Sequence, residues 1–355
     1  MNLLIVTQKA DKDDPILGFF HRWIEEFAKN YGKVSVICLE EGAHSFPSNV
    51  KVYSLGKSKG ARSTSSDRFG YAQRFFSYVW NLRKDYNTVF VHMNPIYLVQ
   101  AGWLWKLMGK KIGLWYTHKQ ADMKLRIAER YADVIFTAAK ESFTLKSGKV
   151  RVVGHGIDVA MYSHAKRSKP LGIEPILIGS VGRITPIKDP ITLIEAARIL
   201  KKKWPKLFKV EFIGSPIAGN DSGYSDKVRD LVKQYELESV VTFVGDVKPA
   251  DMPAKYASTD VSVNLTPTGG LDKVVLESMA AGVPGITSNA AFKDYFGQYS
   301  DALTFERGNA EELADKIMGL FGSDQAEAIS KALQETAKRR ADVSELIRTI
   351  SQNLA

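Results

Sequence analysis

Residues 176–203, ILIGSVGRITPIKDPITLIEAARILKKK, decide how this chain folds. The stretch opens as a short apolar, β-branched run, bends through Gly182, and continues as a longer segment whose apolar residues recur at helical spacing. One strand feeding one helix is the unit from which parallel sheets are built.

The same alternation continues on both sides. Downstream come KVEFIGS (209–215), the helical SDKVRDLVKQYELE (225–238), VVTFVGD (240–246), the helical PADMPAKYAST (249–259) and DVSVNLTP (260–267). Upstream, NLLIVTQ, KVSVICL, NVKVYSL, NTVFVHM, KIGLWYT, DVIFTAA and VRVVGHG are short strand-like runs, interleaved with helical patterns such as FFHRWIEEFAKN. The pattern predicts an α/β protein of two doubly wound, Rossmann-like domains. A chain of 355 residues with 45% apolar content exceeds one ordinary core. The division is expected at a polar stretch, SHAKRSKP (163–170), giving an N-terminal domain 1–165 and a C-terminal domain 166–325. A charged helical tail, 326–355, is expected to pack near their boundary. GKSKGARSTSSDRFG (56–70) reads as a mobile loop.

The single cysteine, Cys38, excludes an intramolecular disulfide and a Cys-rich zinc site, and fits a reducing compartment. No secretory leader and no window of about 18 apolar residues is seen, so the expectation is a cytoplasmic protein that at most lies on the inner face of the cell membrane. Net charge is +10, unevenly spread: residues 1–169 carry 27 Lys and Arg against 14 Asp and Glu, while 170–355 carry 22 against 25. An anionic partner is therefore expected on the first half.

In open parallel sheets ligands gather at the carboxyl ends of strands. Arg183 and Lys188 leave that edge on one loop, where two cations suit a diphosphate; the alternative is a pair of ordinary solvated side chains. TPTGGLDKVVLESMAAGVPGITSN (266–289) supplies the second piece. Gly269 and Gly270 let a ligand approach the backbone, and the helix that follows offers unpaired amides. That helix is expected to run about three turns before Gly282 and Pro284. Glu277 falls one turn beyond Lys273, where it suits ribose hydroxyls; the alternative is a surface ion pair of a few tenths of a kcal/mol.

VGRITPIKDPITLIEAA and LESMAAGVPGITSN resemble the donor domain of retaining, nucleotide-sugar-dependent glycosyltransferases of the GT-B fold, the large group 1 family. KVRVVGHGID resembles that family's stretch at the domain junction. The resemblance implies two Rossmann-like domains facing across a cleft, a nucleotide diphosphate sugar as co-substrate, and no cofactor or metal. It implies donor contacts from Gly18, Arg183, Lys188, Val247, Thr268, Gly269, Gly270, Leu271 and Lys273, with Glu277 on the ribose. The family has an acid where Gly269 stands, so the sugar is left open. Lys273 suits a donor carboxylate; otherwise the amides of Gly270 and Leu271 read a neutral sugar.

The N-terminal domain is expected to bind the acceptor, a lipid-linked or glycan hydroxyl, through Asp14, His92, Asn94 and Lys119. His118 resembles the family's cleft histidine and joins Glu277 as a catalytic candidate. By itself each of His92 and His118 reads equally as a packed structural histidine, and His155 as a cap at the domain junction. Asp11-Lys12-Asp13 matches a metal-binding Asp-x-Asp by letter but lies in the wrong domain. Aromatics interleave with Arg83, Lys84, Lys106, Lys110 and Lys111, which suits an anionic membrane surface or two core helices with solvated basic faces. The rivals to a transferase are an epimerase or phosphorylase of the same fold, and a non-catalytic glycan-binding descendant. A nucleic-acid partner is not expected, since no module for one accompanies the charge.

Overall fold

The computed structural model describes residues 1–14, 16–58, 60–165, 167, 169–216, 222–322 and 325–355. The chain divides into two compact units, 1–156 with 343–355, and 157–342.

In the first unit β1 (Asn2–Ala10), α1 (Phe19–Asn30), β2 (Lys33–Glu41), β3 (Val50–Ser54), α2 (Ser65–Asn81), β4 (Thr88–His92), α3 (Ile96–Leu107), β5 (Lys111–Trp115), α4 (Met123–Tyr131), β6 (Val134–Thr137) and β7 (Val150–Val152) follow in order. The second unit holds α5 (Val159–Ser163), β8 (Ile176–Val181), α6 (Pro190–Lys203), β9 (Phe208–Ile213), α7 (Ser222–Gln234), β10 (Val241–Gly245), α8 (Met252–Ser258), β11 (Val261–Asn264), α9 (Lys273–Ala280) and β12 (Gly285–Thr287). α10 (Lys293–Phe296), α11 (Ser300–Leu303), α12 (Ala310–Gly322) and α13 (Ala326–Arg340) complete it, and α14 (Val343–Leu354) returns to the first unit.

Strand order is β3-β2-β1-β4-β5-β6-β7 in one sheet and β10-β9-β8-β11-β12 in the other, with every pairing parallel. Strands covered on both faces must be apolar along their length, which is why Leu3, Leu4, Ile5 and Val6 are all fully buried. Each sheet reverses its direction of growth once, between β1 and β4 and between β8 and β11, and ligand crevices open beyond the carboxyl ends there.

Two expectations need correction. The loop 56–70 is helical from Ser65: Thr64 accepts from the Asp67 amide while the Asp67 carboxylate accepts from the Thr64 amide, a reciprocal cap that its polar composition disguised. Lys59 of that stretch lies outside the described residues. The domain division falls at Gly156 rather than 165, because Asp260, fully buried, pairs with Arg167 and Lys169 at 3.0 Å each and ties that segment to the second unit. Lys166 and Ser168 lie outside the described residues. The tail is shared: Ser330 of α13 donates to the Gly282 carbonyl in the second unit, whereas α14 packs on α1, with Leu354 filling the space that Gly113 leaves.

Candidate functional site

Beyond β8, Gly182 takes φ +150 and Gly214, beyond β9, takes φ +131. A Cβ on Gly214 would lie 2.4 Å from the Gly182 carbonyl oxygen, so two glycines let these turns cross in contact. The crossing fixes the loop 182–189 at the switch point. Arg183 projects from it exposed, with no hydrogen bond or ion pair among the described residues. Lys188 runs back along Gly182 and is not free: its Nζ lies 2.5 Å from Oδ2 of Asp272 and 2.9 Å from the Thr266 hydroxyl.

Asp272 stands at the N-cap position of α9, yet its side chain caps nothing. Its Oδ2 instead accepts from Lys188, from the Thr266 hydroxyl at 2.8 Å and from the Asn264 amide at 3.0 Å. Asn264 is held in turn by the Thr287 hydroxyl at 3.2 Å. Burial works against the charge, but Lys188 and these donors hold the carboxyl below its ordinary range. The sequence alone does not point to Asp272, because its partner Lys188 lies 84 residues away.

The turn 266–272 is fastened to the segment after β12. Asn289 donates to the Gly270 carbonyl at 2.7 Å, and the Thr268 hydroxyl accepts from the Ala290 amide at 3.0 Å. Thr268, Gly269 and Gly270 stay half-buried, and Leu271 is buried. Helix α9 runs eight residues, not three turns, before Gly282 turns the chain at φ +69. It does place Lys273 and Glu277 one turn apart.

Burial raises the Glu277 carboxyl above its usual range, against the pull of Lys273 and hydrogen bonds from Tyr162 of α5 and Tyr256 of α8. The Tyr256 hydroxyl is 3.3 Å from Glu277 Oε2, and the two tyrosine rings meet edge to face at 5.8 Å. Burial pushes the Lys273 ammonium down to about 8, resisted by Glu277 and Asp272. With two carboxylates already answering its charge, Lys273 is a poor receptor for a donor carboxylate. Val247 is half-buried just past β10, the edge strand.

In the first unit, Gly18 precedes α1, and a Cβ there would meet the Asp14 and Lys12 carbonyl oxygens at 2.6 and 2.7 Å. Glycine is thus required by the loop's own backbone. The Asp14 carboxylate accepts from the Ile16 and Leu17 amides at 2.9 and 2.7 Å and pairs with Lys9 at 2.6 Å. Burial opposes its charge, yet these partners keep the carboxyl below its ordinary range. It organises the loop and has little left for an acceptor. His92 is 1% exposed and stacked on Phe20, with ring centroids 3.9 Å apart, which makes it a packing histidine and not an acceptor contact. His155 sits among Phe19, Trp23 and Trp115, its Nδ1 3.2 Å from the Gly156 carbonyl.

Asn94, by contrast, is half-buried past β4 and donates to Gln8 at 2.7 Å. His118 and Lys119 are exposed past β5, with His118 against the ring of Tyr116. Asp11 is buried and accepts from the Asp13 amide at 3.1 Å. Of the cations near the aromatics, Lys106 pairs with Asp133 at 2.5 Å and Lys110 donates to the Arg83 and Tyr86 carbonyls. Lys84 and Lys111 are exposed, as are Phe69, Trp80, Trp103 and Leu107, while Phe75, Val79 and Trp105 build the core. Among the described residues no helix is long and apolar enough to cross a membrane.

The model of the family "Glycosyl transferases group 1" matches residues 163–341. A D-inositol 3-phosphate glycosyltransferase of Kineococcus radiotolerans is 30% identical over 151 residues, 39% of this chain and 34% of that protein. Another of that name, from Pseudarthrobacter chlorophenolicus, is 26% identical over 240 residues, 64% of this chain and 53% of that one. The matches thus span from about a third to about half the length of these curated relatives. Among solved structures, Anabaena HepE in complex with UDP superposes with a TM-score of 0.78 at 18% identity, covering 100% of this chain and 99% of its own. Sucrose-phosphate synthase from Thermosynechococcus elongatus gives 0.77 at 15% identity, covering 99% and 98%. The fold is that of the GT-B glycosyltransferases.

Proposed function

The chain belongs to the glycosyl transferases of group 1, and from that membership we propose that it moves a hexosyl group from a nucleotide diphosphate sugar to a hydroxyl acceptor with retention at the anomeric carbon. The observation that carries the reading is the tie, at the β8/β11 switch point, between Lys188, on the same loop as the exposed Arg183, and Asp272 at the N-terminus of α9, the helix that carries the half-buried, tyrosine-bonded Glu277.

In this reading Arg183, Lys188 and the amides at the start of α9 take the diphosphate, and Glu277 accepts from the vicinal ribose hydroxyls. Val247, Thr268 and Leu271 shape the pocket. Gly18 keeps its own loop compact. The amides of Gly270 and Leu271 read a neutral sugar, since Lys273 is balanced by Glu277 and Asp272. The cations and oriented amides neutralise charge as it develops on the leaving diphosphate, the task a metal performs elsewhere, so the reaction needs none. His118 is the catalytic candidate of the first unit, with Asn94 and Lys119 beside the acceptor. The acceptor is a glycan or a lipid-linked hydroxyl. The exposed aromatics and cations of α2 and α3 rest on an anionic leaflet from the cytoplasmic side.

Product analysis tests the proposal. Incubation with a panel of nucleotide hexoses and hydroxyl acceptors, in buffer containing a chelator, should release nucleoside diphosphate and form a glycoside with the donor's anomeric configuration by NMR. An inverted product, or turnover that returns only with added divalent metal, contradicts it.

A further inference from the structure

The geometry points to Asp272 as an internal competitor of the donor's phosphates for Lys188, a carboxylate that weakens nucleoside diphosphate binding and speeds release of the product. The inference rests on the donor reading above and adds a residue that reading does not assign.

Asp272 sits where a side chain ordinarily caps its own helix, and it caps nothing. Its Oδ2 collects an ammonium, a hydroxyl and a carboxamide within 3.0 Å, the donor set expected around a single phosphate oxygen. The arrangement is built: Asn264 is anchored through Thr287, and Lys188 lies along Gly182. The Asp272 side chain keeps 18% exposure and that of Lys188 keeps 22%, so the pair borders the crevice rather than the core. Gly182, Arg183, Lys188 and Asn264 share one pocket wall.

Two consequences follow for an arriving diphosphate. Lys188 offers it only part of its charge, because the ammonium stays bonded to Asp272 or must leave it. The carboxylate also repels the phosphates at short range in a partly dehydrated site. Arg183, without an internal partner among the described residues, becomes the stronger phosphate ligand. Asp272 is a positioning and release residue, acting on the ligand through Lys188.

Titration calorimetry and stopped-flow release with uridine, adenosine and guanosine diphosphates test this. Asp272→Asn should bind the preferred nucleotide at least fivefold more tightly, with the gain coming from slower dissociation. Asp272→Ser removes the same charge and can cap α9, so it keeps the test alive if the asparagine variant fails to fold. In either background Lys188→Ala should cost more affinity than it does in the wild type. Unchanged or weaker binding in both charge-removed variants, with wild-type binding intact, overturns the inference and leaves Asp272 a scaffold residue. If no diphosphate binds the wild type or either variant, the donor reading itself falls and this inference with it.

Discussion

The Tyr256 hydroxyl lies 3.3 Å from Oε2 of Glu277 and 3.1 Å from the Val274 carbonyl, so one hydrogen is shared between helix backbone and carboxylate. Tyr162 bonds the same carboxylate from α5. A carboxylate with three rotatable bonds is thereby held in one orientation, ready to accept from a diol.

Removing either hydroxyl should loosen that orientation. Tyr162→Phe and Tyr256→Phe are each expected to reduce the preference for a ribonucleoside diphosphate over its 2′-deoxy counterpart by about 0.5–1.5 kcal/mol, the usual worth of one hydrogen bond. Calorimetric titration with both nucleotides reads the ratio. An unaltered ratio in both variants would detach the tyrosines from ribose recognition.

Arg183→Ala should weaken nucleoside diphosphate binding by about 1.5–3 kcal/mol, the range of a charge-assisted contact. Arg183 is exposed and makes no internal bond among the described residues, so the melting temperature of the free protein should stay put. Loss of affinity accompanied by an equal loss of stability would point to a structural role instead.

The Lys273 ammonium, pushed by burial down to about 8, sets a pH dependence. Above that pH the site loses a positive charge beside the diphosphate, so affinity should fall, and the fall should vanish in Lys273→Met. Stability moves the other way: the unfolded chain holds this proton to about 10.5 while the folded chain releases it near 8, so the folded form gains with rising pH between those values. Nucleotide titrations and thermal melts from pH 7 to 10 check both signs; a flat wild-type binding profile would exclude Lys273 from the site.

If α2 and α3 rest on lipid, vesicles with anionic headgroups should sediment the protein at low salt and release it as salt rises. Replacing the exposed Trp80 and Trp103 by alanine should lower that binding. Equal sedimentation with neutral and anionic vesicles would argue for an acceptor met in solution.

The strands were legible as short apolar runs, the central ones because parallel strands buried on both faces leave those runs unbroken, as NLLIVTQ and VSVICL show. The Lys273–Glu277 spacing was legible because residues four apart on a helix lie one turn apart. What stayed hidden depends on residues far apart in the chain. Lys188 reads as an open cation until the fold brings Asp272 to it, and His92 reads as a site residue until Phe20 stacks on it. The domain division was misplaced because SHAKRSKP looks like a linker until Asp260 supplies the carboxylate for Arg167 and Lys169.

The central claim is that the second unit holds a nucleotide diphosphate sugar through Arg183 and Glu277. Thermal denaturation against a panel of nucleotide sugars, for the wild type, Arg183→Ala and Glu277→Ala, tests it most directly. One nucleotide sugar should stabilise the wild type by about 2.7 kcal/mol at ~100 times its dissociation constant, and far less in either variant. No stabilisation by any nucleotide sugar, or the same stabilisation in all three proteins, would contradict the account.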